Sequence, residues 1–165
     1  MPRPTTRAQV VGLVLWLGAA LGTGVVGAIA SIDAAKFYAT LAQPSWAPPA
    51  GVFGPVWSVL YVLMGVAAWL VWRERDAKAR LPALSIFIVQ LVLNALWSWL
   101  FFAWHRGAAA FVDVVGLLVL IADMVFLFGR VRRLAAWMVV PYLAWVGFAS
   151  ALTYAVWQRN PGTLG

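Results

Sequence analysis

The sequence predicts an all-α fold: a polytopic membrane protein built as a bundle of five transmembrane helices. Three observations predict it. Only 10% of the 165 residues are charged and 64% are hydrophobic, whereas a soluble domain carries about a quarter charged and roughly half apolar residues. The charges are confined to short clusters, so that Val10 to Ile32, Phe37 to Trp72, Leu81 to Trp104 and Leu134 to Gln158 contain none, and Gly107 to Gly129 holds only Asp113 and Asp123. The apolar runs are continuous and reach the ~20 residues that a helix needs to cross the hydrocarbon, while barrel strands would alternate over ~10 residues. A soluble enzyme, a nucleic-acid binder and a secreted disulfide scaffold are excluded on this composition. With no Cys, thiol catalysis, Fe–S clusters and thiolate metal sites are excluded as well.

The spans are expected near 9–30, 53–72, 82–104, 108–128 and 135–157, within one domain covering 1–165. The first follows a basic stretch, Met1 to Arg7, and ends at Ala28-Ile29-Ala30, which resembles a cleavage site. Its apolar run exceeds the ~7–15 residues of a signal peptide, so an uncleaved helix is expected. Gly18, Gly22, Gly24 and Gly27 along it suit close helix packing.

The connection 31–52 is the longest and the least usual. Pro44-Ser45-Trp46-Ala47-Pro48-Pro49 predicts a stiff, non-helical segment holding Trp46, because proline fixes φ and biases its predecessor toward extended backbone. Upstream, Ala34 to Leu41 is expected to form one short interfacial helix anchored by Phe37 and Tyr38. Such a loop at the mouth of a bundle has the form of a lid or of a plain connector.

Orientation follows from Lys and Arg in the short loops. Arg3, Arg7, Arg73, Arg75, Lys78, Arg80, Arg130, Arg132 and Arg133 share one side, against Lys36, Arg106 and Arg159 on the other. Nine against three puts the N-terminus in the cytoplasm and the C-terminus outside, in a bacterial membrane. The net charge of +7 is thereby a topology signal, with no support for nucleic acid as a partner.

Within the spans, polar and aromatic residues recur at helical spacing. Trp57 and Tyr61 share a face of the second span with Met64. Gln90, Asn94, Trp97 and Phe101 form a stripe on the third, and Tyr142, Trp145, Ala149 and Leu152 one on the fifth. Side-chain amides in lipid need partners, so Gln90 and Asn94 should point inward. The stripes fit either interhelical hydrogen bonding or a pocket for a flat apolar molecule. Trp16, Trp69, Trp72, Trp104, Trp137 and Trp157 are expected in the interfacial belt.

Asp113 and Asp123 are the acids within a span, and intramembrane acids raise a proton-coupled transport reading. Each stands seven residues from a terminal arginine, Arg106 or Arg130, and shares a face with it, which favours acids that reach water or an arginine near the interfaces. His105, the single histidine, ends the third span beside Arg106, as an interfacial residue. No cluster has metal-ligand spacing, so neither a metal nor a required cofactor is expected, and no Ser-His-Asp set or phosphate loop is present.

The chain resembles the TspO/MBR family of tryptophan-rich sensory proteins and mitochondrial translocator proteins. The resemblance runs from about residue 10 to 160. It is carried by Pro44-Ser45-Trp46-Ala47-Pro48-Pro49, Val52-Phe53-Gly54-Pro55-Val56-Trp57 and Leu60-Tyr61, by Gln90 to Trp97 leading into Phe101-Phe102, and by Pro141 to Trp145, Phe148-Ala149 and Trp157 to Asn160. It implies a five-helix bundle, commonly a homodimer, with a ligand cavity beneath the loop joining the first two spans. It implies protoporphyrin IX, haem, sterols or benzodiazepine-type compounds as ligands. Trp57, Asn94, Trp97 and Trp145 match pocket residues, Tyr61 and Ala149 the lining, and Trp46 the lid. Some bacterial members are reported to degrade protoporphyrin in light and oxygen, which makes Trp57 and Trp145 the catalytic candidates if this chain does so. The chain departs from the family pattern at Thr153, where Asn is frequent, and near Leu117 and Leu118, where some members have Trp. Leu152, Tyr154 and Arg159 match a loose cholesterol-recognition pattern.

Overall fold

The computed structural model describes residues 5–165, all helix and connection with no strand among them. Arg3 and most of the basic N-terminal stretch, Met1 to Pro4, lie outside the described residues. Helix α1 spans Thr6–Ala30, with the Thr5 hydroxyl accepting from the Ala8 N–H as its N-cap. The short α2 spans Ala34–Thr40, one residue less than expected, because Leu41 turns to extended backbone ahead of the prolines. After a single 3-10 turn at Ala50–Val52, α3 runs Phe53–Arg73, followed by α4 at Arg80–Ser98, α5 at Gly107–Val131 and α6 at Arg133–Arg159. Five of these helices, α1, α3, α4, α5 and α6, are long and apolar enough to cross a membrane. The protein is a five-helix membrane bundle.

The helices close into a ring in the order α1, α3, α6, α5, α4 and back to α1. Inward residues recur every three or four positions, as on α3 with Leu60, Tyr61, Met64, Ala67, Ala68 and Val71. Exposed Val and Leu cover the outer faces, as hydrocarbon rather than water demands. Pro141 sits inside α6 without ending it, which neighbouring helices in a membrane bundle tolerate.

Small residues set the closest approach. A Cβ on Gly65 would lie 2.9 Å from the Leu17 backbone, whereas Gly18 and Gly22 have nothing within 4 Å. Of the α1 glycines expected to pack, Gly24 and Gly27 do, against Tyr61 and Ser98, while Gly18 and Gly22 do not.

The third span ends differently from a plain helix. Trp99–Ala103 widens into a π-helical turn, closed by the Trp104 N–H donating to the Trp99 carbonyl at 2.8 Å. The extra residue brings Phe101 into a small core with Leu41, Leu152 and Val156. His105 follows in a left-handed conformation, φ 52°, tolerated by histidine more than by most residues. The chain end folds back, and the Gly107 N–H at the start of α5 donates to the Leu164 carbonyl at 2.9 Å.

The tryptophans expected in the belt differ in their surroundings. Trp104 and Trp137 are exposed. Trp16 instead packs edge-on against Phe87 at 5.6 Å, Trp69 Nε1 donates to the Gln9 carbonyl at 2.9 Å, and Trp72 lies over Gly12. Trp157 stacks on Phe111 at 6.0 Å. These four join helices, Trp72 and Trp157 by closing over Gly12 and Gly107.

Candidate functional site

A cavity of about 570 Å³ opens among α1, α2, α3 and α4, a size typical of small-molecule sites. Leu21, Gly24, Val25 and Gly27 of α1 form one wall, and Tyr38 of α2 closes the loop side. From α3 come Phe53, Trp57, Ser58 and Tyr61, and from α4 Asn94, Trp97 and Ser98, with Phe102 from the π turn. None of the lining residues is charged.

Aromatic rings shape the space. Trp57 stacks on Tyr61 with centroids 5.5 Å apart and planes at 28°, and meets the ring of Tyr142 edge-on at 6.1 Å. Trp97 stacks on Phe101 at 5.4 Å and 12°. Gly24 lets α1 lie against the Tyr61 ring, since a Cβ there would come within 2.7 Å of it.

Behind this wall runs a chain of hydrogen bonds. The Tyr61 hydroxyl donates to Asn94 Oδ1 at 2.6 Å, Asn94 Nδ2 donates to the Tyr142 hydroxyl at 2.9 Å, and Tyr142 donates to Gln90 Oε1 at 2.8 Å. Gln90 Nε2 ends the chain at Met64 Sδ, 3.8 Å away. Three helices are thereby joined by side chains buried inside the bundle, where an unpaired polar group is costly.

The loop between α1 and α3 lies over this end of the bundle. The Tyr38 hydroxyl donates to the Pro48 carbonyl at 3.4 Å and Gln43 Nε2 to the Tyr38 carbonyl at 2.6 Å, while burial raises the Tyr38 pKa above its ordinary 10.0. Asn160, at the end of α6, donates to the Ala42 carbonyl at 3.0 Å and accepts from the Ala42 N–H at 2.8 Å. Trp46, half-exposed, meets Phe148 edge-on at 5.8 Å. His105 is exposed and stacks on Phe37 of α2 at 4.1 Å, outside the cavity.

Of the residues singled out in the sequence, Trp57, Tyr61, Asn94 and Trp97 meet at the cavity. Gln90 and Tyr142 stand behind its wall in the hydrogen-bond chain. Trp46, Trp145, Ala149 and Leu152 are not lining residues. Trp145 lies one ring away, edge-on to Phe53 at 5.9 Å, and borders a second, open and largely apolar cleft of about 660 Å³ between α3 and α6. Leu152 packs in the small core beneath the loop. Sequence reasoning missed Ser58, Ser98, Phe102 and Tyr38 as wall residues; Phe102 follows from the π turn, for which the residues give no signal.

The two acids do not form a pair. Asp113 is half-buried on α5, its Oδ2 enclosed without a hydrogen-bond partner, and acts electrostatically on Tyr142. Asp123 is exposed on the outer face of the same helix. Of the two expectations for these acids, water or an arginine near the interfaces, the arginine pairing is not formed: Asp113 makes no ion pair with Arg106, nor Asp123 with Arg130, whose guanidinium lies over the Phe126 ring at 5.0 Å. Among the described residues no cluster of His, Asp or Glu is placed to hold a metal ion.

Comparison with known proteins places the chain. The model of the TspO/MBR family matches residues 13–158. The chain is 37% identical to the tryptophan-rich protein TspO of Chlorobaculum tepidum over 158 residues, covering 93% of this chain and 98% of that one. It is 38% identical to the human translocator protein over 152 residues, covering 90% and 89%, and 38% identical to protein CrtK of Rhodobacter capsulatus over 140 residues, covering 84% and 86%. Five apolar helices in a closed ring, the buried Tyr61–Asn94–Tyr142–Gln90 chain and a match over nearly the whole length carry one conclusion: this integral membrane protein belongs to the TspO/MBR family.

Proposed function

We propose that the chain binds a porphyrin-type tetrapyrrole, such as protoporphyrin IX or haem, in the cavity beside Trp57, and acts in sensing, carrying or scavenging it. The observation that carries this reading is the uncharged cavity walled by the Trp57–Tyr61 stack and by Trp97. Flat aromatic surfaces attract flat π-systems through offset stacking, and an apolar wall favours their removal from water. Ala34, Ala35 and Tyr38 of α2, in the connection between α1 and α3, line one side of the cavity. The names of the translocator relatives speak of movement across a membrane, consistent with a carrier. The chain acts as a homodimer in a bacterial membrane, N-terminus in the cytoplasm; the charge bias of the loops supports the orientation and family membership supports the dimer.

Purified protein titrated with protoporphyrin IX should show saturable quenching of Trp fluorescence. Trp57→Ala should weaken binding more than Trp145→Ala, because Trp57 lines the cavity and Trp145 does not. Absence of saturable quenching in the unsubstituted protein would overturn the reading.

A further inference from the structure

We propose that the polar end of the cavity takes an uncharged group that both donates and accepts a hydrogen bond, a protonated carboxylic acid, in preference to a carboxylate. The proposal rests on the cavity described above and deepens the ligand reading by naming the chemistry of the ligand's polar end. It follows from the direction of the buried hydrogen-bond chain.

Tyr61 and Asn94 both line the cavity. The one hydroxyl proton of Tyr61 is committed to Asn94 Oδ1 at 2.6 Å, so Tyr61 offers the cavity lone pairs only. Asn94 Nδ2 has two protons, and one goes to the Tyr142 hydroxyl; the other remains. An acceptor and a donor therefore stand side by side on adjoining residues. A carboxylic acid complements that pair, its O–H donating to Tyr61 Oη and its C=O accepting from Asn94 Nδ2.

The direction of the chain is set at its far end. Tyr142 donates to Gln90 Oε1, and Gln90 is fully buried with Nε2 toward Met64 Sδ. Reversing the chain would turn Gln90 Oε1 toward the sulfur, an acceptor facing an acceptor. Tyr61 is thus held as an acceptor by a residue outside the cavity.

A carboxylate would meet the opposite situation. It would face the Tyr61 lone pairs, and no lysine, arginine or histidine lines the cavity. An unpaired charge in such surroundings is strongly disfavoured against its neutral form. The titratable groups around the pair are Tyr38 from α2, Tyr142 from α6 and, acting on Tyr142, Asp113 from α5; α1 and α4 contribute none to the lining. None of these supplies a positive charge.

The test uses 1-pyrenebutyric acid and its methyl ester, flat apolar probes that accept energy from Trp, titrated into detergent-solubilised full chain against empty micelles at pH 5 and pH 8. The acid should bind at least tenfold tighter at pH 5 than at pH 8, as ionisation of a carboxyl with an ordinary pKa near ~4–5 removes the neutral form. The ester should be indifferent to pH. At pH 5, Tyr61→Phe should weaken the acid about fivefold, in the range of one hydrogen bond, and leave the ester unchanged. Should Tyr61→Phe lose its helical circular dichroism, Asn94→Leu, which removes the acceptor of the Tyr61 proton and frees it to donate into the cavity, should change the acid-to-ester ratio in the opposite sense, raising it at pH 8. Equal binding of the acid at both pH values, an unchanged acid-to-ester ratio in both variants, or binding of neither probe overturns the proposal. Protoporphyrin IX in the same assay reports separately: if the pyrene pair behaves as stated and the porphyrin fails to bind, the tetrapyrrole reading falls and the polar end stands.

Discussion

Asn160 at the end of α6 holds both polar atoms of the Ala42 backbone, donating to its carbonyl at 3.0 Å and accepting from its N–H at 2.8 Å. The contact spans 118 residues of sequence and ties the α1–α3 loop to the end of α6, the helix beside α3 in the ring. Asn160→Ala removes both hydrogen bonds to Ala42, a loss of about 1–2 kcal/mol from the closed loop, together with the bond from Nδ2 to the Val156 carbonyl at 2.7 Å. Amides in 41–49 should exchange faster and bound ligand should dissociate sooner, with the five spans unaffected in hydrogen-exchange mass spectrometry.

The buried chain should respond unequally to loss of its two tyrosine hydroxyls. Tyr142→Phe leaves Gln90 Oε1 and one Asn94 N–H without their partner in a fully buried setting, at about 1–3 kcal/mol. Tyr61→Phe orphans only Asn94 Oδ1, at the cavity edge. Thermal unfolding in detergent should therefore show a larger drop for Tyr142→Phe than for Tyr61→Phe.

Two glycines, Gly65 of α3 at its contact with α1 and Gly18 on the exposed face of α1, give opposite outcomes with the same substitution. Gly65→Ala would place its methyl 2.9 Å from the Leu17 backbone, which cannot swing aside, and should cost about 1–3 kcal/mol. Gly18→Ala meets nothing within 4 Å and replaces a poor helix former, so it should be neutral or stabilising by up to about 1 kcal/mol. The difference in melting temperature between the two variants checks the packing of α1 on α3.

Alkaline pH should loosen the loop through Tyr38. Burial raises its pKa above 10.0 in the folded chain, so the folded state retains a proton that the unfolded segment gives up. The stabilisation is complete below pH 10 and is lost as pH rises through the folded pKa. Proteolysis within 41–49 should accelerate above pH 10 in the unsubstituted protein, and Tyr38→Phe should remove that acceleration.

Much of this architecture was legible in the residues. The five spans lie within a few residues of their charge-free runs, because crossing hydrocarbon imposes a length and a composition that no packing detail can relax. The short α2 and the extended segment after it follow from the prolines at 44, 48 and 49. Gln90 and Asn94 point inward as the cost of an unpaired amide in lipid demands.

What periodicity left undecided was the meeting of faces. Spacing shows that Tyr142, Trp145, Ala149 and Leu152 lie near one another on α6, but not how α6 is turned about its axis or which helix stands opposite. In the folded ring, Tyr142 joins the buried chain, Trp145 borders the outer cleft and Leu152 enters the core beneath the loop, so one stripe serves three surroundings. The π turn at Trp99–Ala103 and the direction of hydrogen bonding through Tyr61 likewise belong to the assembled structure. The residues alone determined a five-helix bundle rich in tryptophan. Only tertiary packing decided that Trp57, Tyr61, Asn94 and Trp97 share a cavity, because helix rotation and neighbour choice are set by long-range contacts that local spacing does not encode.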